Sequence, residues 1–226
     1  MKNDIVIATA CSRLENLQTI HDSIRKSASD FSIENFTWLV VLDRSLEISP
    51  EEVRDAYLFM EDADIVLSTG SKSIGGYVHK NLAISICREK YPNSWIHFLD
   101  DDTICHPNFF SLTGILDDRY IFAVFHQSFN DTYLRHLAGF SDIRPTRIDM
   151  GQYVLNLKKL PSDFFFDENV YMSDGIEIGK LYDKVGNENV QVVGMILSYF
   201  NFLNPPHWLP PSFETDRPIP IGMFFE

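Results

Sequence analysis

Three consecutive aspartates close an apolar run in the middle of this chain, and that junction restricts the fold more than any other stretch. Residues 95–107 read Trp-Ile-His-Phe-Leu-Asp-Asp-Asp-Thr-Ile-Cys-His-Pro. The turn residues Pro92, Asn93 and Ser94 precede an aromatic and aliphatic run over 95–99, the pattern of a buried strand. Asp100, Asp101 and Asp102 follow at once. Adjacent carboxylates at the end of a buried strand repel one another, so the pattern calls for a shared cation or for water. A hard divalent ion with oxygen ligands meets that need. In an extended segment alternate side chains point the same way, which lets Asp100 and Asp102 face one ion while Asp101 points elsewhere. The plainer alternative is an acidic lead into the next helix, with one Asp as its cap.

The residues before this junction alternate between strand and helix patterns. Residues 5–8 are a first strand, and the small residues Thr9, Ala10 and Cys11 at its end allow a ligand close to the backbone. Ser12 and Glu15 have capping-box spacing, followed by Leu17, Ile20 and Ile24 on one helical face. Residues 38–42 form a second strand ending at Asp43. Ser49, Pro50 and Glu52 then open a helix with Val53, Tyr57 and Met60 inside. A third strand over 65–67 leads into a Gly/Ser-rich loop with Gly70, Gly75 and Gly76, and Lys80 and Asn81 open the next helix. Such alternation predicts an α/β domain with a mostly parallel sheet and ligands at the carboxyl ends of the strands. Thr9, Asp43 and Asp100 to Asp102 all fall at such ends and converge on one crevice.

After the aspartates the pattern loosens. Residues 121–125 and 190–193 read as strands, residues 153–157 suit a third, and Ser173, Asp174 and Gly175 open a helix with Ile178, Leu181, Tyr182 and Val185 inside. His126, Gln127, Asn130 and Asp131 lie in a polar loop, with basic residues at Arg135, Arg144 and Arg147. Six of the 11 prolines fall in the last 22 residues, which makes 205–226 an extended tail rather than a helix. Its aromatic residues suit packing on the domain, on a partner or on a membrane surface. One domain over 1–204 plus this tail is the expected organisation at 226 residues.

A formal net charge of −13 argues against binding a nucleic-acid backbone, which relies on clustered Lys and Arg. The same charge leaves an anionic substrate dependent on a bound cation. No run of 18 apolar residues spans a membrane, and no signal-peptide pattern opens the chain. Cys11, Cys87 and Cys105 lack C-x-x-C spacing and fit reduced thiols, so a cytoplasmic location is the expectation.

An N-terminal α/β half with an apolar strand ending in Asp-x-Asp at mid-chain resembles the GT-A glycosyltransferases, which use nucleotide-sugar donors. The resemblance runs over roughly residues 5–193. The opening through Arg13, Glu15, Asn16, Leu17 and Ile24 looks like the first strand and helix of family-2 glycosyltransferases, and Lys80-Asn81 is similar to the Arg-Asn pair ahead of their D-x-D strand. Asp149-Met150 followed by Asn156-Leu157 looks like a segment of the glucuronyltransferase family, although Gly151-Gln152 replaces its small pair. The processive Q-x-x-R-W motif is absent.

The resemblance implies a Rossmann-like GT-A domain with a nucleotide-binding half over 1–103 and an acceptor half over 104–204. It implies a hexosyltransferase-type enzyme moving a sugar, UDP-linked by expectation, to a hydroxyl on a glycan or lipid-linked acceptor, with inversion. Asp102 with Asp100 would hold Mn²⁺ or Mg²⁺, and His207 is a further metal candidate. Asp101 would lie toward the ribose or donor sugar and Asp43 toward the base. Thr9, Ala10, Lys80, Asn81 and Asp149 complete the substrate set, Asp174 is the general base, and Glu177 and Asp167 are reserves. Two alternatives stand beside this reading. Asp-x-Asp after a strand also marks haloacid-dehalogenase-type phosphatases, though near the chain start, and a non-catalytic nucleotide- or glycan-binding protein would keep the ligand contacts alone. Peripheral membrane contact stays open, as does the oligomeric state.

Overall fold

Alternation along the first strand sets the layering. In β1 (Ile5–Cys11), Ile5, Ile7 and Cys11 join one apolar cluster, while Val6 and Ala8 join a second. A strand that buries both faces needs a helical layer on each side. In this computed structural model, which describes residues 4–34, 36–57, 60, 63–67, 74–129, 134–136 and 138–204, α1 (Leu17–Asp30) covers the first face. The second is covered by α3 (Tyr77–Lys90) and α5 (Ser173–Val185), with the one-turn α4 (Leu112–Ile115) between them in sequence. Gly70, Asn130, Asp131, His207 and the tail over 205–226 lie outside the described residues.

The sheet begins as expected. β2 (Thr37–Leu42) and β4 (Trp95–Phe98) flank β1 in parallel, and β3 (Ala63–Leu67) pairs with β2 in parallel. The second half departs from simple alternation. β8 (Tyr153–Asn156) inserts antiparallel between β4 and β6 (Phe122–Ser128), and β9 (Val190–Tyr199) runs parallel to β6 with a register shift near Phe125 and His126. β7 (Leu134–His136) pairs with β6, and β5 (Ile104–Cys105) pairs antiparallel with β9. The order is β3-β2-β1-β4-β8-β6-β9-β5, with β7 off this path. The two-residue β5 and the short β7 carry too little periodicity to be read from sequence.

β4 and β5 are joined only by residues 99–103, yet β8, β6 and β9 lie between them in the sheet. The sheet therefore curls, and the three aspartates sit on the connection that crosses the curl.

The helix signals divide. Ser49 and Glu52 form the expected capping box at the start of α2 (Pro50–Ala56): Glu52 N donates to Ser49 Oγ at 3.1 Å, and Ser49 N to Glu52 Oε2 at 2.8 Å. Ser12 and Glu15 do not form one. Residues 14–16 make a 3-10 turn without a side-chain cap, because the Ser12 hydroxyl is committed to Asp101. All three cysteines are buried and none forms a disulfide, and among the described residues no helix is long and apolar enough to cross a membrane.

Candidate active site

The aspartates occupy a tight turn rather than an extended run, since Thr103 N donates to Asp100 O at 3.0 Å. All three line the cleft, but their carboxylates take different sets of partners. Asp101 turns into the protein: its Oδ2 accepts from Ser12 N at 2.6 Å, Ser12 Oγ at 2.8 Å and Arg13 N at 3.0 Å, and its Oδ1 from Arg13 Nη1 at 2.6 Å. Asn16 Nδ2 donates to the Asp101 carbonyl. Asp101 therefore fastens the loop after β1 to the end of β4, and both its carboxylate oxygens are occupied. The expectation that it lies toward a ribose or donor sugar does not match this arrangement.

Asp100 and Asp102 face the cleft, each beside a cation. Lys80 Nζ is 2.7 Å from Asp100 Oδ1, and Arg13 Nη1 is 3.0 Å from Asp102 Oδ2. Burial works against the Lys80 charge, but Asp100 outweighs it and the ammonium is held more firmly than usual. Burial, then the Asp100 charge, pushes the Asp102 carboxyl up to about 6 against the partial relief from Arg13.

Two glycines bring Lys80 to this place. Gly75 and Gly76 have φ of +60° and +69°, and a Cβ on Gly76 would lie 3.2 Å from Ala10 Cβ, so the chain turns into α3 directly over the end of β1. The first turn of α3 then supplies Tyr77, His79 and Lys80 to the cleft. His79 Nε2 lies 3.5 Å from Asp43 Oδ2, while Asp43 Oδ1 accepts from Ser45 N at 2.8 Å. Burial lowers the His79 pKa despite Asp43, leaving a neutral ring beside the carboxylate.

The opposite wall comes from the second half of the chain. The Tyr77 hydroxyl donates to Asp174 Oδ1 at 2.8 Å. Gly175 permits the first turn of α5 to sit close: a Cβ there would be 3.2 Å from Ile148 O and 3.3 Å from Pro145 Cα. This contact sets Asp174 near Asp149. Burial and then the Asp149 charge raise the Asp174 pKa, and Lys80 and the Tyr77 hydroxyl only partly oppose them. Asp149 itself accepts from Gly151 N and pairs with Arg135 Nη1 at 3.0 Å. The whole cleft encloses about 870 Å³.

Of the residues expected from sequence, Ala10, Asp43, Lys80, Asp100, Asp101, Asp102, Asp149 and Asp174 line this one cleft. Two do not. Thr9 is fully buried and its hydroxyl accepts from Trp38 Nε1 at 2.9 Å, because at that position of β1 the side chain faces the core. Asn81 points away from the cleft and clamps the loop before α5, donating to Phe166 O and Glu168 Oε1 and accepting from Phe166 N. A small residue at a strand end and the likeness of Lys80-Asn81 to an Arg-Asn pair pointed to these two, but each side chain is turned away from that of its cleft-lining neighbour. His207 lies outside the described residues. Ser12, Arg13, Tyr77, His79, Arg135, Tyr171 and Phe200 line the cleft without having been singled out as site residues. The positive-φ glycine pair was the available signal for Tyr77 and His79.

Among the described residues, no group of three His, Cys, Asp or Glu side chains makes a metal site by itself. The donor chemistry of Asp100 and Asp102 still suits a hard cation: both carboxylates line the cleft, and the Asp100 charge adds to burial in raising the Asp102 pKa.

No protein-family model matches the sequence, and no curated protein matches it either. Solved structures do. TarS of S. aureus (residues 1–349) is similar over 86% of this chain with a TM-score of 0.60 at 11% identity, and this chain covers 59% of it. The same protein in complex with UDP-GlcNAc matches at 0.51 and 12% identity, over 88% of this chain and 58% of that one. The mannosyltransferase PcManGT from Pyrobaculum calidifontis, in complex with GDP-Man and Mn²⁺, matches at 0.54 and 11% identity, over 86% of this chain and 55% of that one. This chain thus spans less than two thirds of the length of these proteins. The likeness establishes the architecture: a single α/β domain of the GT-A fold with a curled, mostly parallel sheet.

Proposed function

We propose that this protein transfers a sugar from a nucleotide-sugar donor, UDP-linked in our reading, to an acceptor hydroxyl with inversion at the anomeric carbon. The observation that carries the reading is the convergence of Asp100, Asp102 and Lys80 with Asp174 in one cleft of a GT-A fold. One wall suits a diphosphate and the other suits proton removal.

In this reading Asp43, with the neutral His79 beside it, receives the base. Lys80 and Arg13 bring positive charge to the diphosphate as negative charge grows on the leaving group. Mn²⁺ or Mg²⁺, held by Asp102 and Asp100, would supply Lewis-acid neutralisation of that leaving group when bound. Asp174 takes the proton from the acceptor hydroxyl. The oxygen forms its bond to the anomeric carbon as the bond to the diphosphate oxygen breaks, and that electron pair leaves on the nucleoside diphosphate. The raised pKa of Asp174 suits a base that must hold the proton it accepts. The Tyr77 hydroxyl fixes its orientation.

The test is a thermal-shift panel of UDP, GDP, CMP and ADP with and without Mn²⁺, repeated on Asp102→Ala. A ligand that binds only the folded protein raises its apparent stability by mass action. Metal-dependent stabilisation by one nucleoside diphosphate, lost in the variant, supports the reading and names the base. Stabilisation by phosphate mimics with Mg²⁺ alone would replace it with the phosphatase chemistry, with Asp100 as nucleophile. Donor binding without turnover would leave a binding protein.

A further inference from the structure

The two walls of the cleft differ in charge. Lys80 and Arg13 stand beside the aspartate turn, whereas among the described residues lining the wall built after residue 104 the one basic side chain is Arg135. That guanidinium is already engaged on three sides, by Asp149 Oδ2 at 3.0 Å, by Gln127 Oε1 at 2.7 Å, and by the Phe200 ring, whose centroid is 3.1 Å away. Arg144 and Arg147 are exposed and do not line the cleft, and Arg147 pairs with Asp142 at 3.4 Å. Asp149 and Asp174 leave this wall net negative. A phosphate or carboxylate on the acceptor would meet net repulsion here.

What the wall does offer is an aromatic face. Tyr171 is 72% exposed, the most exposed large apolar side chain among the described residues, and it lines the cleft three positions before Asp174. Met172, 41% exposed, follows in a left-handed conformation at φ 63°, and α5 starts at the next residue. A non-glycine residue held at positive φ marks a backbone position fixed by its surroundings. Tyr171, the residue before it, stays largely exposed while lining the cleft. A sugar ring has an apolar C–H face and a rim of hydroxyls, which matches a cleft that is lined by an exposed aromatic ring together with carboxylates and the Asn201 side chain.

We infer that the acceptor is an uncharged glycan whose terminal sugar stacks on Tyr171 and so directs a hydroxyl to Asp174. This rests on the glycosyl-transfer reading above. The experiment uses the full chain and the nucleotide sugar whose diphosphate stabilises it. Neutral mono- and oligosaccharides of gluco, galacto and manno configuration are offered in one arm and polyprenyl phosphate in detergent in the other, with products read by mass spectrometry. Turnover of a neutral saccharide is expected. Tyr171→Ala is expected to raise the acceptor KM about tenfold while kcat changes by under about twofold, with Tyr171→Trp restoring it. Independently of turnover, saturation-transfer NMR on the wild-type chain is expected to mark the C–H face of a bound methyl glycoside. Turnover of the polyprenyl phosphate alone would overturn the inference and leave sugar transfer standing. So would an unchanged acceptor KM in Tyr171→Ala. Failure of every nucleoside diphosphate to bind would overturn both.

Discussion

The hydrogen bond from the Tyr77 hydroxyl to Asp174 Oδ1, 2.8 Å long, joins the first turn of α3 to the first turn of α5 across the cleft. It favours the charged carboxylate and so restrains a pKa that burial and Asp149 push upward. Removing it in Tyr77→Phe is expected to lower kcat about tenfold at neutral pH and to move the acid limb of kcat/KM to higher pH by about one unit. Donor affinity measured by nucleotide titration checks that the loss belongs to the base.

Asp102 behaves unlike a stabilising carboxylate. Its folded-state pKa of about 6 lies above the ordinary 3.8, so between these values the folded protein binds more protons than the unfolded chain. Stability from this group therefore falls as pH rises through that window. Asp102→Asn is expected to stabilise the metal-free protein at pH 7 by on the order of 1–3 kcal/mol, because Arg13 keeps its bond to Asp101. The gain should vanish when both forms are titrated to pH values below the ordinary carboxylate range. Thermal unfolding of the two proteins across pH reads this directly, and a variant destabilised at pH 7 would contradict it.

Lys80 is buried and lies 2.7 Å from Asp100 Oδ1. Lys80→Met would leave Asp100 beside two further carboxylates with its cation gone. A loss of about 2–4 kcal/mol in urea unfolding is expected, below the full range for breaking one side of a buried pair because Asp100 is partly exposed. Nucleoside diphosphate binding should weaken with it, whereas Lys80→Arg should retain part of both.

Asn81 makes a structural clamp, and its substitution tests that assignment against a ligand role. In Asn81→Ala the Phe166 amide and carbonyl lose their partner, with an expected cost of about 1–3 kcal/mol in denaturant titration. Nucleotide affinity should change by no more than about twofold, a difference within ordinary second-site effects. A large loss of affinity at unchanged stability would return Asn81 to the binding set.

Much of the first half of the chain is legible from residues alone, because apolar strands flanked by amphipathic helices state their period openly. The strand ending in Asp100, the capping box of Ser49 and Glu52, and the helix opening at Ser173 all follow from such local signals. The second half is harder, since the insertion of β8 between β4 and β6 is a long-range pairing that leaves no periodic trace. At the site the same boundary holds. Strand ends gave Asp43 and the aspartate triple, but the direction of a side chain depends on register, which sends Thr9 inward to Trp38. The capping spacing of Ser12 and Glu15 was overridden by a partner 89 positions away, Asp101. Tyr77 and His79 owe their places to the left-handed turn at Gly75 and Gly76, visible in sequence only as two adjacent glycines.

The five residues between β4 and β5 act as a ruler. They must cross from the middle of the sheet to its far edge while Leu99 N stays bonded to Ala8 O and the Asp102 carbonyl accepts from Leu203 N. A single inserted or deleted residue would have to be absorbed by the curl or by the carboxylates themselves. The length of the segment is therefore constrained independently of the side chains it carries. Among distant relatives too divergent for residue identity to be informative, an uninterrupted, gap-free stretch here would be the more durable mark of common descent.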